Sequence, residues 1–225
     1  MHWITHQQVL RAHLSPKLTL PAKTGSIKMV FLYHLRLQTW RWLMTTIEQI
    51  TTAEQLLRSP GLGRCELVRG ELVTMPYEGF EHGRMVIDVV ASLVDFVKDN
   101  SLGEVVGPRT GFQIGHDPDT VRAPDVGFVC AQRVPAEPVK GYFPGPPDLA
   151  VEVLSPDDRA GEVLAKVRDW LQSGCRRVWV VDPRTRTVSV YRSASEIVVL
   201  SESDTLTDEE LLPGFRLPVA EIFAA

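Results

Sequence analysis

The stretch "PDLAVEVLSP" (147–156) decides the fold. Leu149, Val151 and Val153 point to one side of an extended chain, and Ala150, Glu152 and Leu154 point to the other. Both sides are apolar except at Glu152, so the pattern predicts a strand covered on both faces. A carboxylate buried there without a partner is costly. Glu152 must therefore hold, or be held by, something of opposite charge.

The flanks extend this strand into an α/β core. Downstream, "DDRAGEVLAKVRDWLQSG" (157–174) predicts a helix, capped by Asp157 or Ser155 and ended by Gly174, with Ala160, Leu164, Val167 and Leu171 as its core stripe. "RVWVVDP" (177–183) is a second buried strand. "TVSVYRS" (187–193) pairs with it across a turn, and "SEIVVLS" (195–201) extends that edge. The final "LTDEELLPGFRLPVAEIFA" reads as a short helix, a turn and a second short helix.

Upstream, "PDVGFVC" (124–130) is a strand, and "GEVVGP" (103–108) and "TGFQIG" (110–115) are shorter ones. A Pro/Gly-rich loop (135–147) leads into the opening stretch. "HGRMVIDVVASLVDFVKD" (82–99) carries Val86, Val89, Val90, Leu93, Phe96 and Val97 at helical spacing. "CELVRGELVTM" (65–75) is a hairpin turning near Arg69-Gly70, and "TTAEQLLRSPG" (51–61) is a short capped helix. The order is hairpin, long helix, strands, helix, strands. It predicts a mixed β-sheet flanked by helices. No glycine-rich phosphate loop stands between a strand and a helix, which argues against a nucleotide-binding Rossmann or P-loop fold.

Charge divides the chain. Residues 1–43 hold six cations and no acid, leaving 18 cations against 28 acids in the rest, a net of −10. This break predicts a basic leader outside the fold and a domain over 44–225, with Met44 as the favoured natural start; a basic targeting peptide is the alternative. The run "MVFLYHLRLQTWRWL" (29–43) is too short to span a bilayer and is interrupted by His34, Arg36 and Arg41. Cys65, Cys130 and Cys175 are widely spaced and odd in number, which predicts a reduced, cytoplasmic protein without a cysteine metal site.

Two carboxylates interrupt apolar strands, Asp125 just after Pro124 and Glu152 inside "LAVEV". On neighbouring strands they repel unless a cation lies between them. Mg²⁺ is the simplest such cation, with the Val153 carbonyl as a further oxygen ligand. Lys166, on the helix after the Glu152 strand, falls on the flank of the core stripe, where its stem can reach back to orient a water or stabilise charge on a phosphoryl oxygen. A structural reading stands beside each. Asp125 can cap a turn, Glu152 can pair with an arginine, Lys166 can be a solvated helix residue, and His82 can be a satisfied core histidine. Glu66 and Glu81 read as solvated.

In order, "ELVRGELV", His82 opening a helix, "RAPDVGFV", "PDLAVEVLSP", Lys166 and "GCRRVWVVDP" resemble the Uma family of candidate restriction endonucleases, within the PD-(D/E)XK nuclease superfamily. The likeness covers about residues 45–224. It implies a restriction-endonuclease-like fold and a Mg²⁺-dependent DNA endonuclease, with Mn²⁺ as an alternative metal. Asp125 is then the motif aspartate and Glu152 the motif acid, both on the metal with Val153. Leu154 stands where the parent motif has its lysine, and the resemblance implies that Lys166 replaces it from the helix. Glu71 and His82 match further polar positions of the family. A cleavage-inactive nucleic-acid-binding or protein-interaction module on the same scaffold is the alternative.

An acidic domain lacks the overall cationic footprint of non-specific DNA binding. Arg109, Arg122, Arg176, Arg177, Arg184 and Arg186 are the candidates for a local basic rim. A homodimer would suit cutting both strands of a duplex.

Overall fold

The structure, a computed structural model, describes residues 49–224. The expected leader (1–43) and the Met44 start lie outside the described residues. In chain order the elements are α1 (Ala53–Leu57), β1 (Cys65–Val68), β2 (Glu71–Thr74), α2 (Phe80–Asp99), β3 (Gly103–Val106), β4 (Phe112–Gly115), β5 (Thr120–Arg122), β6 (Val126–Cys130), β7 (Phe143–Pro144), β8 (Leu149–Val153), α3 (Ala160–Gln172), β9 (Arg177–Asp182), β10 (Thr187–Tyr191), β11 (Ile197–Leu200), β12 (Thr205–Asp208), β13 (Leu212–Pro218) and α4 (Val219–Ile222).

The opening stretch forms β8, buried along its whole length. It lies inside a six-stranded sheet of order β11-β10-β9-β8-β6-β3. It pairs parallel to β9, with Glu152 opposite Val180, and antiparallel to β6, with Val126 opposite Val151. Parallel pairing to the next strand requires a crossover, and α3 supplies it. The two faces of β8 enter two cores. Leu149, Val151 and Val153 pack with α2 and β12–β13, while Ala150 packs with Val167 and Trp170 of α3. Alternation along one strand thus delivers Glu152 to the α3 side.

A second sheet of order β2-β1-β5-β4-β7 carries the hairpin. Arg69 (φ 51°) and Gly70 (φ 76°) both adopt left-handed backbone, the requirement of the tight turn that joins β1 to β2 in register Val68↔Glu71. Leu67 points down onto Ala53 and Leu56 of α1, whose start is fixed by the Thr52/Gln55 capping box.

Four local expectations are corrected. The segment from Leu206 is a hairpin, β12–β13, and only α4 is helical. Leu206, Leu212, Phe215 and Leu217 turn inward, and Asp208 ties the strand to Arg177 while accepting from the Leu211 N–H. The buried stripe of α3 is rotated: Leu164 is exposed, and Val167, Asp169 and Trp170 face inward. Neither Asp157 nor Ser155 caps the helix, which begins after Arg159 with no side-chain cap hydrogen bond. β5 and β7 were not anticipated; each is a two- or three-residue pairing with too little sequence to show a period.

Candidate metal centre

The β6–β8 register, continued one step beyond Val126↔Val151, sets Asp125 opposite Glu152. Asp125 is fixed by its backbone and its side chain together. Its N–H donates to the Val151 carbonyl at 3.1 Å, and its Oδ2 accepts the Val153 N–H at 2.9 Å. His82, in the first turn of α2, places Nε2 3.3 Å from the same Oδ2, and Arg64 approaches Oδ1 at 3.4 Å. Arg64 is held in turn by Glu78, whose other oxygen takes the Ser155 hydroxyl.

Glu152 is held from α3. Its Oε2 accepts from Lys166 Nζ at 2.7 Å and its Oε1 from Trp170 Nε1 at 2.7 Å. Lys166 and Trp170 are four residues apart, hence on one helix face. The rotation of the α3 stripe is what brings both to the carboxylate. Lys166 also lies 3.6 Å from Glu66 Oε1.

Glu66, expected to be solvated, is buried on β1. It accepts from Arg122 at 2.7 Å and from the Ala123 N–H at 3.0 Å. Arg122 continues to Asp169, which Arg69 reaches from outside. Glu71, by contrast, stands exposed at the turn end of β2 and does not line the cleft. It shares a hairpin face with Glu66, but the place opposite Glu66 is taken by Val73. The acid that the hairpin brings to the cluster is Glu66, not Glu71. Glu66 bears the same signature as Glu152, an acid inside a short apolar strand; Trp170 and Asp169 had no comparable signal, since both depend on the phase of the helix.

Arg64, Glu78, His82, Asp125, Glu152 and Lys166 line a cleft of about 330 Å³. Its electrostatics follow from burial opposed by charge. Burial pushes Glu152 up to about 7, Lys166 opposes this, and Asp125 and Glu66 add to it. Burial also acts to raise Asp125 and Glu66, but His82 and Lys166 outweigh it at Asp125, and Lys166 and Arg122 outweigh it at Glu66; both carboxyls sit below their usual range. Burial works to lower Lys166, yet Glu152, Glu66 and Asp125 hold it above its usual value and cationic. Burial likewise works against the charged form of His82, and Asp125, Glu78 and the Val153 carbonyl together raise it.

Among the described residues, no three His, Cys, Asp or Glu side chains already form a metal-ligand cluster. Of the carboxylates lining the cleft, Asp125 and Glu152 face each other across paired strands with Val153 beside them; Glu78, Asp158 and Glu162 line it as well. Two carboxylates and a carbonyl, completed by water, suit Mg²⁺ or Mn²⁺, which prefer oxygen and keep several waters. The donor set therefore fits a hard divalent cation.

The expected arginine rim is mostly consumed internally. Arg122 and Arg177 are buried in ion pairs, and Arg176, Arg184 and Arg186 face Glu210, Asp182 and Glu202. Arg109 has no acidic partner among the described residues.

The family model of Uma2, described as "Putative restriction endonuclease", matches residues 53–220. The chain belongs to the Uma2 family. Its fold is that of a crystal structure from Anabaena variabilis, a "putative nuclease belonging to DUF820", at a TM-score of 0.68 and 22% identity, covering 76% of this chain and 97% of the other. No curated protein matches the chain. The Uma2 match spans both the Asp125–Glu152 pair and Lys166. Among the described residues, no helix is long and apolar enough to cross a membrane.

Proposed function

We propose that this Uma2 protein is a divalent-metal-dependent endonuclease that hydrolyses phosphodiester bonds of DNA in the cytoplasm, with residues 44–225 as its catalytic domain. One observation carries the reading: Asp125 and Glu152, on paired strands, open into the same cleft as a lysine bonded to one of them. Asp125, Glu152 and the Val153 carbonyl would hold Mg²⁺ or Mn²⁺. Bound there, the metal would supply an activated water and stabilise charge on the phosphoryl group.

The remaining work falls to the protein. Lys166, held cationic between Glu152 and Glu66, is placed to donate hydrogen bonds to the attacking water and to a non-bridging phosphate oxygen. His82 orients Asp125 and carries part of the charge opposite it. Trp170 locks the Glu152 rotamer from the apolar side. Arg122 and Asp169 fix Glu66, and through it Lys166. Arg64, paired with Glu78 and near Asp125, balances charge around the Asp125 carboxylate. Lys166, bonded to Glu152 from the helix, would compensate for Leu154 in the usual lysine position.

A plasmid-nicking assay in Mg²⁺ or Mn²⁺, with Asp125→Ala and Glu152→Ala beside the wild type, tests the activity. Metal-dependent nicking by the wild type alone is expected. No nicking by any of the three, or equal nicking by all, would favour the alternative, a binding module on this scaffold.

A further inference from the structure

A second cavity of about 230 Å³ adjoins the metal cleft. The two share Arg64 and Arg122 as a common wall. Resting on the nuclease reading, we infer that this cavity receives a single unpaired nucleobase next to the scissile phosphate, so that the preferred substrate is DNA interrupted by an unpaired nucleotide.

Apolar and cationic side chains share the lining of the recess. Leu57, Leu62 and Tyr142 contribute its apolar walls. Leu57 and Leu62 are among the large apolar side chains left exposed, and the Tyr142 ring is half-buried. The ring is seated tightly: a Cβ at Gly111 would fall 2.3 Å from it. An aromatic ring beside aliphatic walls suits the flat face of any base. The volume accommodates one base, not a stacked pair.

The charge pattern separates a nucleotide from a neutral apolar ligand. Glu66 is the carboxylate in the wall, and it is already paired with Arg122 and Lys166. Arg109, which has no acidic partner among the described residues, remains to meet a phosphate beside the base. Arg109 is held at φ 70°, a left-handed conformation disfavoured for a residue with a side chain. Residues fixed in such backbone concentrate at ligand sites. A base still paired in a duplex cannot enter the recess. One already unpaired enters without the cost of breaking its pair.

Fluorescence anisotropy in EDTA tests this without cleavage, using a duplex with a one-nucleotide bulge and the same duplex uninterrupted. The wild type is expected to bind the bulged duplex about tenfold more tightly, in keeping with the worth of stacking one base. Arg109→Gly and Tyr142→Leu should each remove most of that preference. Glycine suits φ 70°, so Arg109→Gly folds and decides the matter if Tyr142→Leu does not. Equal wild-type affinity for the two duplexes, or a preference that survives Arg109→Gly, would overturn the nucleobase recess and leave the nuclease reading standing. Failure to bind either duplex would overturn the nucleobase recess, while the nicking assay in Mg²⁺ or Mn²⁺ decides the nuclease reading separately.

Discussion

Lys166 Nζ lies 2.7 Å from Glu152 Oε2 and 3.6 Å from Glu66 Oε1, so one ammonium joins a carboxylate of the six-stranded sheet to a carboxylate of the hairpin. The side chain is 15% exposed, and both acids are more deeply buried. Removing one member of a buried ion pair leaves the other uncompensated. Lys166→Met is therefore expected to cost about 3 kcal/mol of stability in metal-free protein. It is also expected to slow DNA cleavage by about 100-fold or more. Added Mg²⁺ should recover part of the stability by replacing the lost charge. Urea unfolding with and without Mg²⁺ checks the first effect and single-turnover cleavage the second.

Metal affinity should follow the Glu152 carboxyl. Burial holds it at about 7, above its usual 4.5, so near neutrality it is partly protonated and a cation must displace that proton. Mg²⁺ affinity is expected to rise with pH through about 7 and level off above it. The same shift has the opposite sign for folding. Between 4.5 and about 7 the folded metal-free protein binds more protons at Glu152 than the unfolded chain, so this group's contribution to stability falls as pH rises through that window. Calorimetric Mg²⁺ titrations and metal-free unfolding, each on either side of 7, read the two trends.

Arg122 and Arg69 both reach Asp169, but from different surroundings. Arg122 is buried between Glu66 and Asp169, so Arg122→Met should destabilise by roughly 3–5 kcal/mol. Arg69 is 64% exposed, and Arg69→Ala should cost no more than about 1 kcal/mol. Denaturant midpoints compared at equal slope distinguish them.

The hairpin acids separate in the same manner. Glu66→Gln loosens Lys166 and should reduce cleavage roughly 10- to 100-fold. Glu71→Ala, on the exposed turn end, should leave it within about twofold. A larger loss from Glu71→Ala than from Glu66→Gln would reverse the roles assigned to the two residues.

Much of this arrangement was legible in the sequence, for identifiable reasons. β8 announced itself because period-two alternation was interrupted by one charge, and α2 because its apolar residues kept helical spacing over many turns. The pairing of Asp125 with Glu152 followed from consecutive strong strands. The phase of α3 did not emerge. Leu164 competed for the core stripe, and only the tertiary pull of Glu152 on Lys166 and Trp170 decides which face turns inward. The burial of Glu66 is not legible, because a four-residue strand gives little alternation to read and the arginine that neutralises it stands 56 residues away. The arginine rim failed for a related reason: composition counts cations, and the fold had already spent most of them on its own carboxylates.

The most direct test of the central claim is calorimetric titration of Mn²⁺ or Mg²⁺ into metal-free wild-type protein, Asp125→Asn and Glu152→Gln. A site built on these two carboxylates predicts binding by the wild type and at least about tenfold weaker binding by each variant. Unchanged affinity in Glu152→Gln, with the variant folded, would contradict it.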